Sequence, residues 1–148
     1  MIKNFLDKNR DAGILFIRIG IGFSFILVHG WAKISGGPAM WSKIGGAMAN
    51  YGLSFAPTFW GFMASASEFA GGILILLGLF TRPAAAFMAF TMLTAFMMHT
   101  TNMDPWSKAI YPMEMFAVFM GLLFIGAGKY SLDNLLFKKK TDAPLKHA

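Results

Sequence analysis

The sequence predicts an all-α integral membrane protein, a four-helix bundle with a short amphipathic helix in its first outer loop. Three observations predict it. Four apolar stretches follow one another along the chain, each close to the roughly 20 residues that a helix needs to cross a hydrocarbon layer. Of the 148 residues 56% are apolar and 14% charged, with a mean hydropathy of +0.56, whereas soluble domains carry about a quarter charged residues. The basic charges that remain gather toward the chain ends.

Taken in order, residues 1–11 are polar with an apolar face of Ile2, Phe5 and Leu6 and carry Lys3, Lys8 and Arg10, which predicts a short interfacial helix on the inner leaflet. The first span is expected over 12–32. Arg18 interrupts it and no small-x-small cleavage site follows, which argues against a cleaved signal peptide. Residues 33–58 are rich in Gly, Pro and Ser, but Met40, Trp41, Ile44 and Met48 recur near helical spacing. That pattern predicts an amphipathic helix at the outer interface, anchored by Trp41, or a lid over a site. The second span is expected over 59–80, a tight turn at Thr81-Arg82-Pro83, the third span over 83–100, and the fourth over 109–127 after the loop 101–108. A tail over 128–148 completes a single domain, 1–148, with no internal repeat.

Four spans return both termini to one side of the bilayer. Lys129, Lys138, Lys139, Lys140 and Lys146 in the tail, the basic N-terminus and Arg82 in the tight second loop assign that side to the cytoplasm. The net charge of +6 therefore reads as a membrane flank, and nucleic acid is not the expected partner. Cysteine is absent, which excludes disulfide exchange, thiolate nucleophiles, iron–sulfur ligation and Cys-based zinc sites. No Ser-His-Asp elbow, phosphate-cradling glycine loop or zinc spacing is present.

The informative residues are the polar ones inside the spans. Glu68 lies near mid-depth in the second span and Arg18 about 6 Å to the cytoplasmic side in the first, at about 1.5 Å of rise per residue. His29, His99 and Glu114 fall on the outer side by about 10, 12 and 6 Å. Arg18, Gly22, Phe25, His29 and Lys33 make one stripe of the first helix. Gly61, Ala64, Ser65, Glu68, Gly71 and Gly72 make a small-residue stripe on the second, and Ala85, Met88, Met92, Ala95 and His99 one side of the third. A central charge costs about 2.5–3.5 kcal/mol on insertion scales, so Glu68 needs a partner, and Arg18 is the expected one. The pair would serve chemistry, or only fix helix register.

Glu68, His29, His99 and Glu114 are the candidate catalytic residues, and Arg18, Lys33, Trp31 and Met92 the candidate cofactor contacts. Histidines at matched depth suit a proton-coupled pocket for a quinone, haem ligation, or copper with help from Met98 and Met103; the bland alternative is hydrogen bonding to a carbonyl or the interface. No dedicated metal site is expected.

Several pieces of the chain resemble the DoxX family of small bacterial membrane proteins. They are His29-Gly30 followed by Lys33, the run Glu68-Phe69-Ala70-Gly71-Gly72 leading to Leu77-Gly78-Leu79-Phe80-Thr81-Arg82-Pro83-Ala84-Ala85, a histidine ending the third span, and Gly128-Lys129-Tyr130-Ser131-Leu132-Asp133. The resemblance covers about residues 12–136. It implies a four-helix bacterial inner-membrane protein whose relatives include a quinone-reducing subunit of a thiosulfate oxidoreductase and partners of peripheral redox enzymes. The wider fold resembles quinone-linked thiol oxidoreductases, but without cysteine a thiol relay is excluded here. The family supplies no fixed catalytic set; its motifs support His29, Lys33, Glu68 and Arg82. The function expected is a membrane subunit of a redox system that binds a quinone or similar apolar carrier, with a partner redox protein or as a homo-oligomer. The alternatives are a non-catalytic assembly or anchoring protein, or a small permease.

Overall fold

The computed structural model describes the backbone of residues 2–137 and the side chains of residues 9–137. The apolar face expected at Ile2, Phe5 and Leu6 and the lysines at 138–140 and 146 lie outside the described side chains. Four helices are long and apolar enough to cross a membrane: Asn9–Ile34, Pro57–Leu77, Thr81–Thr101 and Trp106–Ile125. They pack as an all-α membrane bundle. Each agrees with an expected span to within a few residues, because hydropathy and length dictate such segments directly.

The first crossing is built from three pieces. Helix α1 (Ile2–Ser24) starts inside the segment expected to lie flat on the membrane and enters the span unbroken, so no separate interfacial helix forms. A π-helical turn, Phe25–Gly30, follows, closed by a Trp31 N–H bond to the Ile26 carbonyl, and α2 (Trp31–Ile34) completes the crossing. The wide turn presses Gly30 against the second crossing, α4 (Pro57–Leu77), where a β-carbon would come within 2.6 Å of the Phe69 backbone.

The first loop holds α3 (Gly37–Gly45) and a 3₁₀ turn, Gly46–Tyr51. The amphipathic helix expected there exists, but it packs on protein. A side chain at Gly61 of α4 would collide with the Trp41 backbone, and one at Gly45 with Pro57. The Trp41 indole donates to the Lys33 carbonyl at 2.9 Å. The 3₁₀ turn buries Ala47 and Met48, and Tyr51 stacks on Phe90 of the third crossing.

Helix α4 (Pro57–Leu77) ends in a left-handed glycine, Gly78 at φ 65°, with Leu79 N–H bonding back to the Leu74 carbonyl, a close that only glycine makes without strain. Helix α5 (Thr81–Thr101) starts three residues later, and Asp133 caps it, accepting from Phe80 N–H at 2.7 Å and Thr81 N–H at 2.9 Å. Helix α6 (Trp106–Ile125) and the short α7 (Leu132–Phe137) follow. Both ends of the described chain lie at the same end of the bundle, where Lys129 N–H donates to Asp11 at 2.9 Å. The core is Phe25, Ile75, Met88 and Phe119, with Ala84, Ala85 and Met92. The small-residue stripe on α4 faces inward as expected: Gly61, Ser65, Glu68, Gly71 and Gly72 are buried and Ala64 is half-buried.

Candidate functional site

Glu68 has a partner, and it is not Arg18. Its carboxylate, in a residue 2% exposed, is held by Lys33 Nζ at 2.6 Å from Oε1 and 2.7 Å from Oε2. Lys33 stands near the end of the first crossing, inside the span instead of past it. The π turn places Gly30 against Phe69, and Lys33 three residues on comes over Glu68.

The expected Arg18–Glu68 pair does not form. Arg18, 1% exposed, spends its guanidinium on four carbonyls: Nε on Ile75 at 2.9 Å, Nη2 on Leu76 at 3.0 Å, and Nη1 on Ala127 at 2.9 Å and Tyr130 at 2.7 Å. Those of Ile75 and Leu76 lie in the last turn of α4, where the helix dipole is negative and the Ile75 carbonyl also accepts the Gly78 N–H at 3.1 Å. Ile75 is seven residues beyond Glu68, about 10 Å along the helix. Arg18 thus belongs to the terminal end of the bundle and joins the first crossing, α4 and the segment after α6.

Glu68 and Lys33 line a cavity of about 550 Å³ between α4 and α5, roofed by Ile44, Ala47 and Met48 of the first loop. Apart from these two and His99 the walls are mostly apolar: Ala64, Gly71, Leu74, Ala95 and Met98 among them. Phe59, Met63, Phe87 and Phe90 line it and are also exposed on the outside of the bundle, so its side wall is part of the surface that faces lipid. Trp60 contributes to the lining, and its Nε1 is buried with no hydrogen-bond partner among the described residues. Buried indole N–H groups almost always have one.

The outer polar layer divides. His99 lines the cavity and bonds through Nδ1 to Asp104 Oδ2 at 2.9 Å, with Lys108 3.7 Å from the other oxygen. That hydrogen bond, aided by the Lys108 charge, holds the Asp104 carboxyl below the usual carboxylate range. His29 lies instead between the first and fourth crossings, its Nε2 2.8 Å from the Tyr111 hydroxyl and its ring stacked on the tyrosine at 5.0 Å. Glu68 is near enough to act electrostatically on both His29 and Tyr111. The two histidines therefore do not share a ligand site. Among the described residues no three His, Asp or Glu side chains meet as a metal would require.

Three expected site residues stand apart. Glu114 is exposed, because α6 buries the face of Ala109, Pro112, Phe119 and Leu122 and residue 114 falls on the other side. Trp31 is exposed with its ring 5.9 Å from Phe69, and Met92 is packed in the core. Trp60 in the cavity lining, Asp104 against His99 and Tyr111 against His29 were not expected as site residues, and Ser67, Thr91 and Thr94 add hydroxyls to the cavity. Asp104, five residues after His99, was within reach of a local reading; the others required the fold.

The DoxX family model matches residues 13–101, the stretch that contains Arg18, Lys33, Glu68 and His99. Inner membrane protein YqjF of Escherichia coli (strain K12) is 34% identical over 138 residues, covering 90% of this chain and 99% of that protein. An uncharacterized protein of Haemophilus influenzae is 34% identical over 142 residues, covering 92% and 99%. "Putative oxidoreductase CatD" of Bacillus subtilis is 26% identical over 135 residues, covering 91% and 95%. No solved structure matches the chain. With four crossings in place, the family match over most of the bundle and near end-to-end similarity to these relatives, the chain belongs to the DoxX family.

Proposed function

We propose that the chain is the membrane subunit of a redox system in a bacterial inner membrane, taking a quinone or similar apolar carrier into the cavity between α4 and α5. The observation that carries this reading is a buried carboxylate, Glu68, held by Lys33 on the wall of a largely apolar cavity of about 550 Å³. That volume suits a ring with part of an apolar tail, since ligand sites run from about 300 to 1,000 Å³. A lining shared with the lipid-facing surface lets such a carrier enter from the bilayer. A quinone, when reduced, takes up protons with its electrons. Glu68 and Lys33 would hold and exchange a proton at the carrier's oxygen, Trp60 Nε1 would donate to a carbonyl, and His99, oriented by Asp104, would exchange protons nearer the loop end. Similarity to proteins named "Inner membrane protein YqjF" and "Putative oxidoreductase CatD" supports the reading. Exposed Arg10, Arg82 and Lys129 at the terminal end support placing that end in the cytoplasm.

The test is extraction and melting. Protein purified in mild detergent is expected to carry co-extracted quinone and to melt higher with an added short-chain quinone analogue, a shift that Glu68→Gln and Trp60→Phe reduce. A wild-type preparation free of quinone and indifferent to the analogue would replace this reading with that of an anchoring protein.

A further inference from the structure

We propose that a second cleft, at the terminal end of the bundle, binds the headgroup of an anionic phospholipid, with Arg82 as its phosphate contact. The cleft measures about 540 Å³ and lies among the α4–α5 turn, the end of α6 and α7, lined by Phe80, Arg82, Pro83, Ile125, Asn134 and Phe137.

Arg18 and Arg82 differ in what their guanidinium groups do. Every nitrogen of Arg18 meets a carbonyl at 3.0 Å or less. Arg82 is exposed and among the described residues makes one long hydrogen bond, Nη2 to the Phe124 carbonyl at 3.4 Å. Its side chain is nevertheless placed, crossing Gly126, where a β-carbon would lie 3.3 Å from Nε. A planar fork held at the mouth of a cleft with donors unspent is suited to the bidentate grip of a phosphate. The N-terminus of α5 is not the binding element, since Asp133 already occupies it. The Asp133 carboxylate also lines the cleft, which keeps an anion away from it and on the Arg82 side.

Apolar surface around the cleft distinguishes a lipid from a soluble anion. Phe80, Ile125 and Phe137 on its wall and Leu135 and Leu136 on α7 are all exposed, a skirt for acyl chains at the depth of a headgroup. Arg10 and Lys129 are exposed at the same end, and Lys138, Lys139 and Lys140 follow Phe137 in the sequence. Basic clusters flanking a span, and basic pockets between span ends, attract anionic lipid.

The experiment uses the full chain in mild detergent with phosphatidylglycerol, phosphatidylcholine or inorganic phosphate as probe, read by thermal shift and by lipid retained in native mass spectrometry. Phosphatidylglycerol is expected to stabilise and to be retained, and the other two not. Arg82→Gln is expected to weaken phosphatidylglycerol binding about fivefold. Arg82→Lys, which keeps the charge and loses the fork, should weaken it at least about twofold, and serves should Arg82→Gln fail to fold. Equal stabilisation by phosphate or by phosphatidylcholine overturns the proposal, as does wild-type phosphatidylglycerol affinity in either variant.

Discussion

Lys33 Nζ stands 2.6 Å from one oxygen of Glu68 and 2.7 Å from the other, so a single ammonium answers both lone-pair sets of a carboxylate that is 2% exposed. The pair is asymmetric, because the Lys33 side chain keeps 34% of its surface exposed. Losing Lys33 leaves a charge inside the bundle; losing the charge of Glu68 leaves an ammonium that still reaches solvent or headgroups.

Lys33→Met should therefore destabilise more than Glu68→Gln, by about 1–3 kcal/mol against less than about 1 kcal/mol, the scale on which polar contacts within membranes have been measured. The double variant should recover much of the Lys33→Met loss. Melting of the four proteins in detergent checks the cycle, and a Glu68→Gln protein as damaged as Lys33→Met would show that the pairing does not explain the site.

Arg18→Lys should cost about 3 kcal/mol or more, since an ammonium cannot span four carbonyls contributed by two separate segments and hydrogen bonds to charged groups contribute about 1.5–3 kcal/mol each. Its effect should add to that of Glu68→Gln within about 0.5 kcal/mol, as for sites with no shared partner. Strong coupling between the two, measured by melting the single and double variants, would contradict the geometry.

The Asp104–His99 contact gives a pH dependence with a definite sign. The folded-state carboxyl is held below its ordinary value, so this group adds stability above about pH 4, where the unfolded carboxyl is already ionised, and the contribution disappears as pH falls through the lowered value. Wild type should melt higher than Asp104→Asn at pH 6, with the gap closing below about pH 4. A gap that widens in acid would give the contact the opposite sign.

Gly61 meets the Trp41 backbone directly, and backbone cannot swing aside as a side chain can. Gly61→Leu should displace α3, at a cost of about 1–3 kcal/mol from overpacking, and open the cavity roof formed by Ile44, Ala47 and Met48. Faster proteolysis within residues 37–51 of the variant checks this; unchanged cleavage would show that α3 is held by other contacts.

The spans, the tight turn and the helix in the first loop were legible because apolar run length and helical spacing are local properties of the chain. The inward face of α4 was legible for the same reason, from Gly61, Ser65, Glu68, Gly71 and Gly72. Pairing was not. Matching Glu68 with the nearest opposite charge in depth chose Arg18, because depth arithmetic counts side chains and omits the carbonyls at the end of α4. A first crossing that ends at 32 leaves Lys33 in the loop, while the helix continues to Ile34. The Asp133 cap acts across more than fifty residues, and the orphaned Trp60 indole has no signature in a sequence at all.

The wide turn at Phe25–Gly30 makes the aim of Lys33 a matter of counting. Each residue of an α-helix rotates the next by about 100°, and a turn closed by a bond five residues back takes up one residue more than an α-turn, so deleting one residue between Phe25 and Gly30 would restore ordinary winding with Lys33 still turned toward Glu68. A protein lacking Leu27, which is exposed, would therefore keep the Lys33–Glu68 contact, whereas one residue added to the ordinary helix after Gly30 would turn Lys33 away by about 100°.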